Sequence, residues 1–536
     1  MRIRLTRALM AMLIVLPLAT YGCASAPNPR PTGTIEQSNA QPQEPVWRAA
    51  EKGNADAQFN LGVMYAKGLG VAKDDAEAIK WWRKAADQGH VVAQTVFGVM
   101  YAEGRGVARD DAEAVRWFRK AADQGYAEAQ TKLGSMYAEG RGVAKDDVEA
   151  VRWYGKAAKQ GNADAQFGLG MMCVKNRSVA KNESEVAWWD KEAAGWFKKA
   201  ADRGHADAQT KLGLAYVNGL GVAKDEAEAV KWWRRAAEQG HAKAQFNLGL
   251  AYVNGRGVAK DEVEAVKWWR RAAEQGHAKA QFELGFVYAN GLGVEKDDAE
   301  AIKWWRKAAN QGNDEAQFNL GVMYANGRGV PKDEAEAVKW WRKAAEQGNA
   351  NAQTNLGFMY YEGLGVAPDD AEALKWTTKA VEQGNAEAQG NLGQMYAEGR
   401  GVAKDKVEAL KWYKKAAAQG STYAKNTLGL MYAEGQGVAK DEAEAVRWYK
   451  SAAERGYADA QFNLGVMYAE GRGVAKNNAE ALKWYKKAAD QGHEGARLVL
   501  QKKMARVPSM SQKRASLRAQ ALQQDPTQGS RRAAGW

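Results

Sequence analysis

The dipeptide Leu-Gly (Phe-Gly in one unit) returns along this chain with a fixed period, and no other feature constrains the fold as tightly. The glycines fall at Gly62, Gly98, Gly134, Gly170, Gly213, Gly249, Gly285, Gly321, Gly357, Gly393, Gly429 and Gly465. Every step is 36 residues except Gly170 to Gly213, which is 43. A Trp recurs in the same register, from Trp81, Trp117 and Trp153 through to Trp484. These twelve, with the second-position Trp82, Trp233, Trp269, Trp305 and Trp341, account for 17 of the 21 Trp, so the aromatic content is repeat architecture before it is a ligand cage. A fixed period in this range is the mark of stacked supersecondary units.

One unit, Asn313 to Gln347, shows what is repeated. Ala316, Leu320 and Met323 recur at i, i+4 and i+7 and give a first helix, helix A, with one apolar face. Gly321 inside it costs about 1 kcal/mol relative to Ala. Its regular return implies close approach of a neighbouring backbone or of the Trp ring. Gly327-Arg328-Gly329 stops the helix, because Gly takes the left-handed conformation after a C-terminus. Asp333 is placed to cap a second helix, helix B, with Glu336 completing a capping box. Ala337, Val338, Trp341 and Ala345 mark its buried side, and Gly348 ends it. Such a hairpin cannot bury its apolar face alone, so stacking on neighbours is obligatory.

The run Ala316-Gln317-Phe318-Asn319-Leu320-Gly321-Val322-Met323-Tyr324, then Gly327-Arg328-Gly329-Val330, then Trp340-Trp341, resembles the Sel1-like repeat family, relatives of tetratricopeptide repeats. The resemblance covers residues 47–501 and departs from the pattern at Asp314, where the family has Ala. It implies an all-α, right-handed α-solenoid of about twelve 36-residue helix-turn-helix repeats, used as a protein-binding scaffold.

The ends differ from the body. Residues 1–26 read as an export signal: Arg2, Arg4 and Arg7, then an apolar run from Ala8 to Ala19 too short to span a membrane. Leu18 to Cys23 resembles a bacterial lipobox, making Cys23 the candidate lipid attachment site, while Ala24-Ser25-Ala26 offers ordinary cleavage to a soluble exported form. Residues 27–46, with five Pro, read as a flexible tether. Residues 502–536 read as a basic, disordered tail with eight Lys and Arg against Asp525. Most of the net charge of +13 lies in the two ends, so the nearly neutral body offers no broad nucleic-acid footprint. Cys23 and Cys173 are the only cysteines, and no disulfide framework is expected in the mature chain.

Searching for chemistry returns little. His205, His241 and His277 recur in the same turn, too far apart to share a metal ion, and no metal site or cofactor is expected. Ser178-Val179-Ala180-Lys181 matches the Ser-x-x-Lys pattern of β-lactam-recognising enzymes, but its Lys-Thr-Gly partner is missing. The fourth repeat carries seven extra residues with Trp188 and Trp189, which predicts a longer helix B or a bulged loop. Two residues of helix A, those after its Gln, vary while the core does not. They supply the candidate partner-binding residues Phe59, Asn60, Phe167, Phe246, Asn247, Phe282, Glu283, Phe318, Asn319, Asn355, Asn391, Phe462 and Asn463, with Asn amides placed to grip a peptide backbone and Phe to supply apolar area. The expected function is a non-catalytic scaffold that binds a protein or peptide in the bacterial envelope. The rivals are a glycan or peptidoglycan binder and a β-lactam-recognising enzyme.

Overall fold

A computed structural model describes residues 44–505 and residue 520. The segments read as an export signal with Cys23, as a tether (up to residue 43) and as a basic tail (from 506, apart from 520) lie outside the described residues. Within them the fold is all-α: twenty-six helices, arranged as tandem hairpins of the solenoid class. The chain divides into two units, one to Ala157 and one from Ala158.

The first unit holds repeats 1–3. Helix Glu44–Glu51 precedes them, as the tail of a helix B without its partner. Helices A are Ala55–Lys67, Val91–Glu103 and Ala127–Glu139, and helices B begin at Asp75, Asp111 and Asp147. Leu61 packs with Ala50 and Trp81; Phe97 packs with Trp117; Leu133 packs with Phe118 and Trp153. Each repeat's first Trp thus packs on its own helix A and on the helix that precedes it.

The second unit holds repeats 4–12 and the final helix Glu494–Ala505. Its standard unit is legible in repeat 8, where helix A is Asp314–Asn326 and helix B is Glu334–Glu346. Asn313 caps helix A by accepting the Ala316 N–H. Gly327, at φ 64°, stops it in the left-handed conformation. Asp333 caps helix B by accepting the Glu336 N–H at 2.9 Å. The expected capping box does not close. The Asp333 N–H donates to Tyr324 O instead, so Glu336 has no donor to reach and pairs with Lys339 one turn on.

A glutamine relay joins the repeats. Gln317 donates from Nε2 to Ala309 O at the end of the previous helix B. Its Oε1 accepts from Gln347 Nε2, which caps its own helix B. Four helices A and the final helix are instead entered through a histidine, and in each Nδ1 accepts a backbone N–H: His90, His205, His241, His277 and His493. Those ring nitrogens serve as caps.

The fourth repeat resolves the irregular register. Ser178 stands at the C-cap with φ −69°, so there is no left-handed stop and helix A runs on to Arg177. Asn182 then caps a helix B of twenty residues, Glu183–Asp202. The insertion is absorbed as helix on both sides. Cys173 is buried among Phe197, Leu212 and Trp232, and burial pushes its thiol up to about 11. Among the described residues no helix is long and apolar enough to cross a membrane.

Candidate functional site

The two variable positions of helix A take different places. The first lies in the joint between repeats. Phe59 stacks on His90 at 4.7 Å between ring centroids, Phe167 on His205 at 4.6 Å and Phe462 on His493 at 4.5 Å; Phe246 tilts against His277. The backbone carbonyls of Phe59, Phe246, Phe282 and Phe318 accept the indole N–H of Trp82, Trp269, Trp305 and Trp341. These Phe are half-buried and offer an edge, not a face.

The second position lies on the free side of helix A. Asn247, Asn319, Asn355, Asn391 and Asn463 are half-buried there and Asn60 is exposed. Asn463 donates to Asn426; the carboxamides of Asn355 and Asn391 make no hydrogen bond among the described residues. Glu283 takes this position in repeat 7, its carboxyl pushed up by burial and then by Glu315.

One turn further on stands a residue that the sequence reading passed over. It follows the Leu-Gly glycine, three after the variable Asn and therefore on the same helix face. Leu214, Phe286, Phe358 and Leu430 occupy it with 36, 43, 45 and 43% of their surface exposed. The i, i+3 spacing from the variable Asn is the signal that would have found it. In repeats 5, 7, 9 and 11 an exposed apolar side chain thus stands one turn beyond a polar one on the free face.

At repeats 8–10 this face deepens into a cavity of about 490 Å³. Val322 and Asn326 line it from helix A of repeat 8, with Trp341 from helix B. Asn355, Phe358 and Met359 line it from helix A of repeat 9 (Ala350–Glu362), and Glu387 and Asn391 from helix A of repeat 10 (Ala386–Glu398). Of the thirteen sequence-predicted residues the cavity brings together Asn355 and Asn391. Asn319 sits one helix earlier on the same face; Phe59, Asn60, Phe167, Phe246, Asn247, Phe282, Glu283, Phe318, Phe462 and Asn463 lie elsewhere along the helices A.

Repeat 9 has its own departure. It reads Trp376-Thr377-Thr378 where every other repeat has a second aromatic ring. That ring normally covers the Leu-Gly glycine; at Gly357 a side-chain carbon would instead meet Thr377 Oγ1 at 2.6 Å. The lost volume is partly refilled by Tyr361, which stands where most repeats have Ala. Tyr361 is buried, donates its hydroxyl to the Glu398 carboxylate and lies under Arg400, whose Cζ is 3.7 Å from the ring centroid. Burial, then Glu398, pushes the Tyr361 hydroxyl up to about 12. Arg400 in turn pairs with Asp370 at 2.7 Å. A second hollow, beside the first, is lined by Phe358, Tyr361, Thr377 and Asn391.

The cavity's own lining is of mixed charge, with Lys332, paired with Glu334 at 2.8 Å, beside Glu387. Helices A of repeats 8–10 carry Asp314, Glu315, Glu362, Glu387 and Glu398, and no Lys or Arg. Among the described residues no group of three or more His, Cys, Asp or Glu is placed to hold a metal ion. In the fourth repeat Trp188 is 53% exposed and meets Trp189 edge-on at 4.4 Å. Ser178 is exposed and donates its hydroxyl to Lys175 O at 2.6 Å, a local turn contact.

Comparison with known proteins returns one family. The profile described as Sel1 repeat matches twelve times: residues 55–90, 92–126, 127–162, 163–205, 206–241, 242–277, 278–313, 314–349, 350–385, 386–421, 422–457 and 458–493. No curated protein matches the sequence. Among solved structures the chain is similar to a protective antigen present in uropathogenic Escherichia coli strains displaying an SLR fold. The identity is 34% over 88% of this chain and 92% of that one, with a TM-score of 0.56. It is also similar to a Sel1 repeat protein from Oxalobacter formigenes, at 37% identity over 57% of this chain and 88% of that one, with a TM-score of 0.47.

Proposed function

This chain belongs to the Sel1 repeat family, and from that membership we propose that it is a non-catalytic scaffold of the bacterial cell envelope, holding a protein or peptide along the free face of its helices A. Sel1-repeat proteins generally bind proteins. The observation that carries the reading is the cavity at repeats 8–10. There the unpaired carboxamides of Asn355 and Asn391 flank exposed Phe358, and rigid helices hold all three. An extended peptide needs hydrogen-bond partners for its backbone and apolar area for alternate side chains, and this face offers both. Phe246, Phe282, Phe318 and Phe462 would add edges at the joints between the repeats of the second unit, Asn247, Asn319 and Asn463 amides, and Glu283 a carboxylate. The envelope assignment rests on residues 1–26, with Cys23 as lipid attachment site.

A photo-crosslinking amino acid at Asn355, expressed in the native cell, tests the binding face. A discrete crosslinked protein that disappears with Phe358→Ala supports it; labelling no different from a probe at exposed Lys303 on helix B sinks it. Mass spectrometry of the mature N-terminus tests the anchor: a lipid-modified Cys23 is expected, and a chain beginning at Pro27 refutes it.

A second reading has one observation in its favour. The exposed Trp188 ring beside Trp189 is a platform on which a sugar ring could stack. Retention of the protein on isolated cell wall, lost in Trp188→Ala and unaffected by Phe358→Ala, would favour glycan binding over the scaffold reading.

A further inference from the structure

We propose that the fourth repeat carries a saccharide-binding notch, opened by Gly195 beside Trp196, that takes an uncharged N-acetylated amino sugar. The notch is separate from the groove of repeats 8–10. It rests on the glycan reading at Trp188 and gives that reading a second contact.

A missing cation is the first argument. In the other eleven repeats Lys or Arg stands just before the first Trp and pairs with the Glu three residues back. Lys303 meets Glu300 in this way at 2.7 Å, and Arg152 meets Glu149 at 3.0 Å. Repeat 4 has Gly195 in that place. The carboxylate is kept as Glu192, half-buried and without a hydrogen bond or ion pair among the described residues. A side-chain carbon at Gly195 would meet nothing within 4 Å. Gly170, by contrast, is covered by the Phe197 ring. Gly195 therefore weakens its helix with no packing contact in return, and what it leaves is open space.

That space is a cavity of about 340 Å³, within the range of about 300–1,000 Å³ usual for small-ligand sites. Helix B contributes Glu192, Gly195 and half-buried Trp196 to its lining. The loop after helix Ala206–Asn218 contributes Gly221 and Val222. This loop is seated on helix B, since a side chain at Gly221 would overlap Asp190 O. Lys191 also lines the cavity, where the other repeats carry Ala or Val. Lys199 lies over the Trp196 ring at 3.9 Å and is exposed, and Lys198 is paired with Asp202 at 3.7 Å.

Mixed charge selects the ligand class. A cation in place of the lost side chain would face Lys191 and Lys199, and an anion would face Glu192. An uncharged group with both a donor and an acceptor satisfies carboxylate and ammonium together. An N-acetylamino sugar has that pattern. Its amide N–H can donate to Glu192 and its amide oxygen can accept from Lys191, with the C–H face of the ring against Trp196. Lys199 is free to swing off the indole and donate to a hydroxyl. Trp188, Glu192 and Gly195 fall at i, i+4 and i+7 on one stripe of the helix. Exposed Trp188 thus stands about 10 Å along the helix from the notch, a separation that suits two sugars of one chain.

The test is a calorimetric titration of the full chain with the β-1,4-linked tetramer of N-acetylglucosamine, repeated on three variants. Binding to the parent is expected. Gly195→Lys restores the residue type of the other repeats and refills the notch; it should weaken binding about tenfold or more without lowering the thermal midpoint. Gly195→Ala adds one carbon into open space and should bind within about twofold of the parent. Trp188→Ala should weaken binding about threefold. A parent that does not bind at about 10 mM tetramer overturns the inference, and so does binding that Gly195→Lys leaves intact. Arginine amide bound in place of the saccharide overturns it too, and makes the notch a seat for a partner's basic side chain. Retention on isolated cell wall that depends on Trp188 but not on Gly195 leaves the glycan reading standing and removes the notch from it.

Discussion

At the scale of single residues, the glutamine relay is where stability and its exceptions are decided. Each helix A glutamine is buried, and a buried amide left unpaired costs roughly 1–3 kcal/mol. Gln353 is satisfied at both ends, by Ala345 O and by Gln383 Nε2. Repeats 4 and 11 replace the second partner with arginine, and the outcomes differ. In repeat 11 Arg455 turns to Gly420 O, and the relay residue itself is Lys425, which has no acceptor to satisfy. Lys425 donates to Ser451 Oγ at 3.0 Å, and Ser451 stands where most repeats carry a cation, so charge has moved inward from helix B. Burial, then Arg455, holds the Lys425 ammonium below the ordinary lysine range. In repeat 4 Arg203 turns the same way, its guanidinium lying against Gly161, but Gln166 has stayed. Its buried Oε1 has no hydrogen-bond partner among the described residues. Arg203→Gln should therefore supply the missing donor and stabilise the protein by about 1 kcal/mol. Arg455→Gln, with Lys425 opposite, should not. Urea denaturation of the two variants beside the parent measures the contrast; equal shifts would mean the orphaned oxygen is not the cause.

At the scale of the hairpin, the unit is held by a ring laid on a glycine. A methyl group at Gly321 would overlap the Nε1 and Cδ1 of Trp341. That indole is buried and donates to Phe318 O, so it has no easy way to move. Gly321→Ala should cost about 1–3 kcal/mol despite alanine's better helix propensity, read as a fall in thermal midpoint. A neutral or stabilising result would show that the close approach is incidental. This contact was legible in advance, because a helix-breaking residue kept at a constant distance from an aromatic demands a packing reason. The hairpins, their stops and their caps were legible for the same reason: each depends on one residue type at one spacing. Two kinds of feature were not. Glu336 fits a capping box by spacing, yet whether the box closes depends on the Asp333 N–H, which a carbonyl from the previous helix had already taken. Thr377 and Tyr361 are plain in the sequence, but a volume lost from helix B and a volume gained on helix A become one event only when the fold sets them side by side. The hollow beside the groove is lined by both. Attention to what recurs had placed the site in the variable pair; Asn355 and Asn391 do line the groove, while the Phe of that pair pack in joints between repeats.

At the scale of the molecule, neighbours are everything. Within the second unit each helix packs on the one before and the one after, and helices A of repeats 9 and 10 are the one further pair in substantial contact. No core residue of repeat 8 reaches repeat 12. Stability in such an array is close to a sum of repeat and interface contributions, so it can be lost locally. A groove built at one place can therefore vary without disturbing the rest, which is how repeat 9 could give up its second aromatic. The same logic predicts how damage spreads. Leu320 is fully buried in repeat 8, among Ala301, Trp305, Met323 and Trp340. Leu320→Ala should cost about 2–5 kcal/mol. A cooperative globular domain would register that cost at every slow-exchanging amide. Here hydrogen exchange should accelerate over 298–362, the hairpins that share the damaged core, while 442–490 keeps the protection of the parent. Uniform acceleration across both segments would mean that the repeats unfold as one body. The groove at repeats 8–10 would then have to be regarded as coupled to every other hairpin, not as a local departure that its neighbours tolerate.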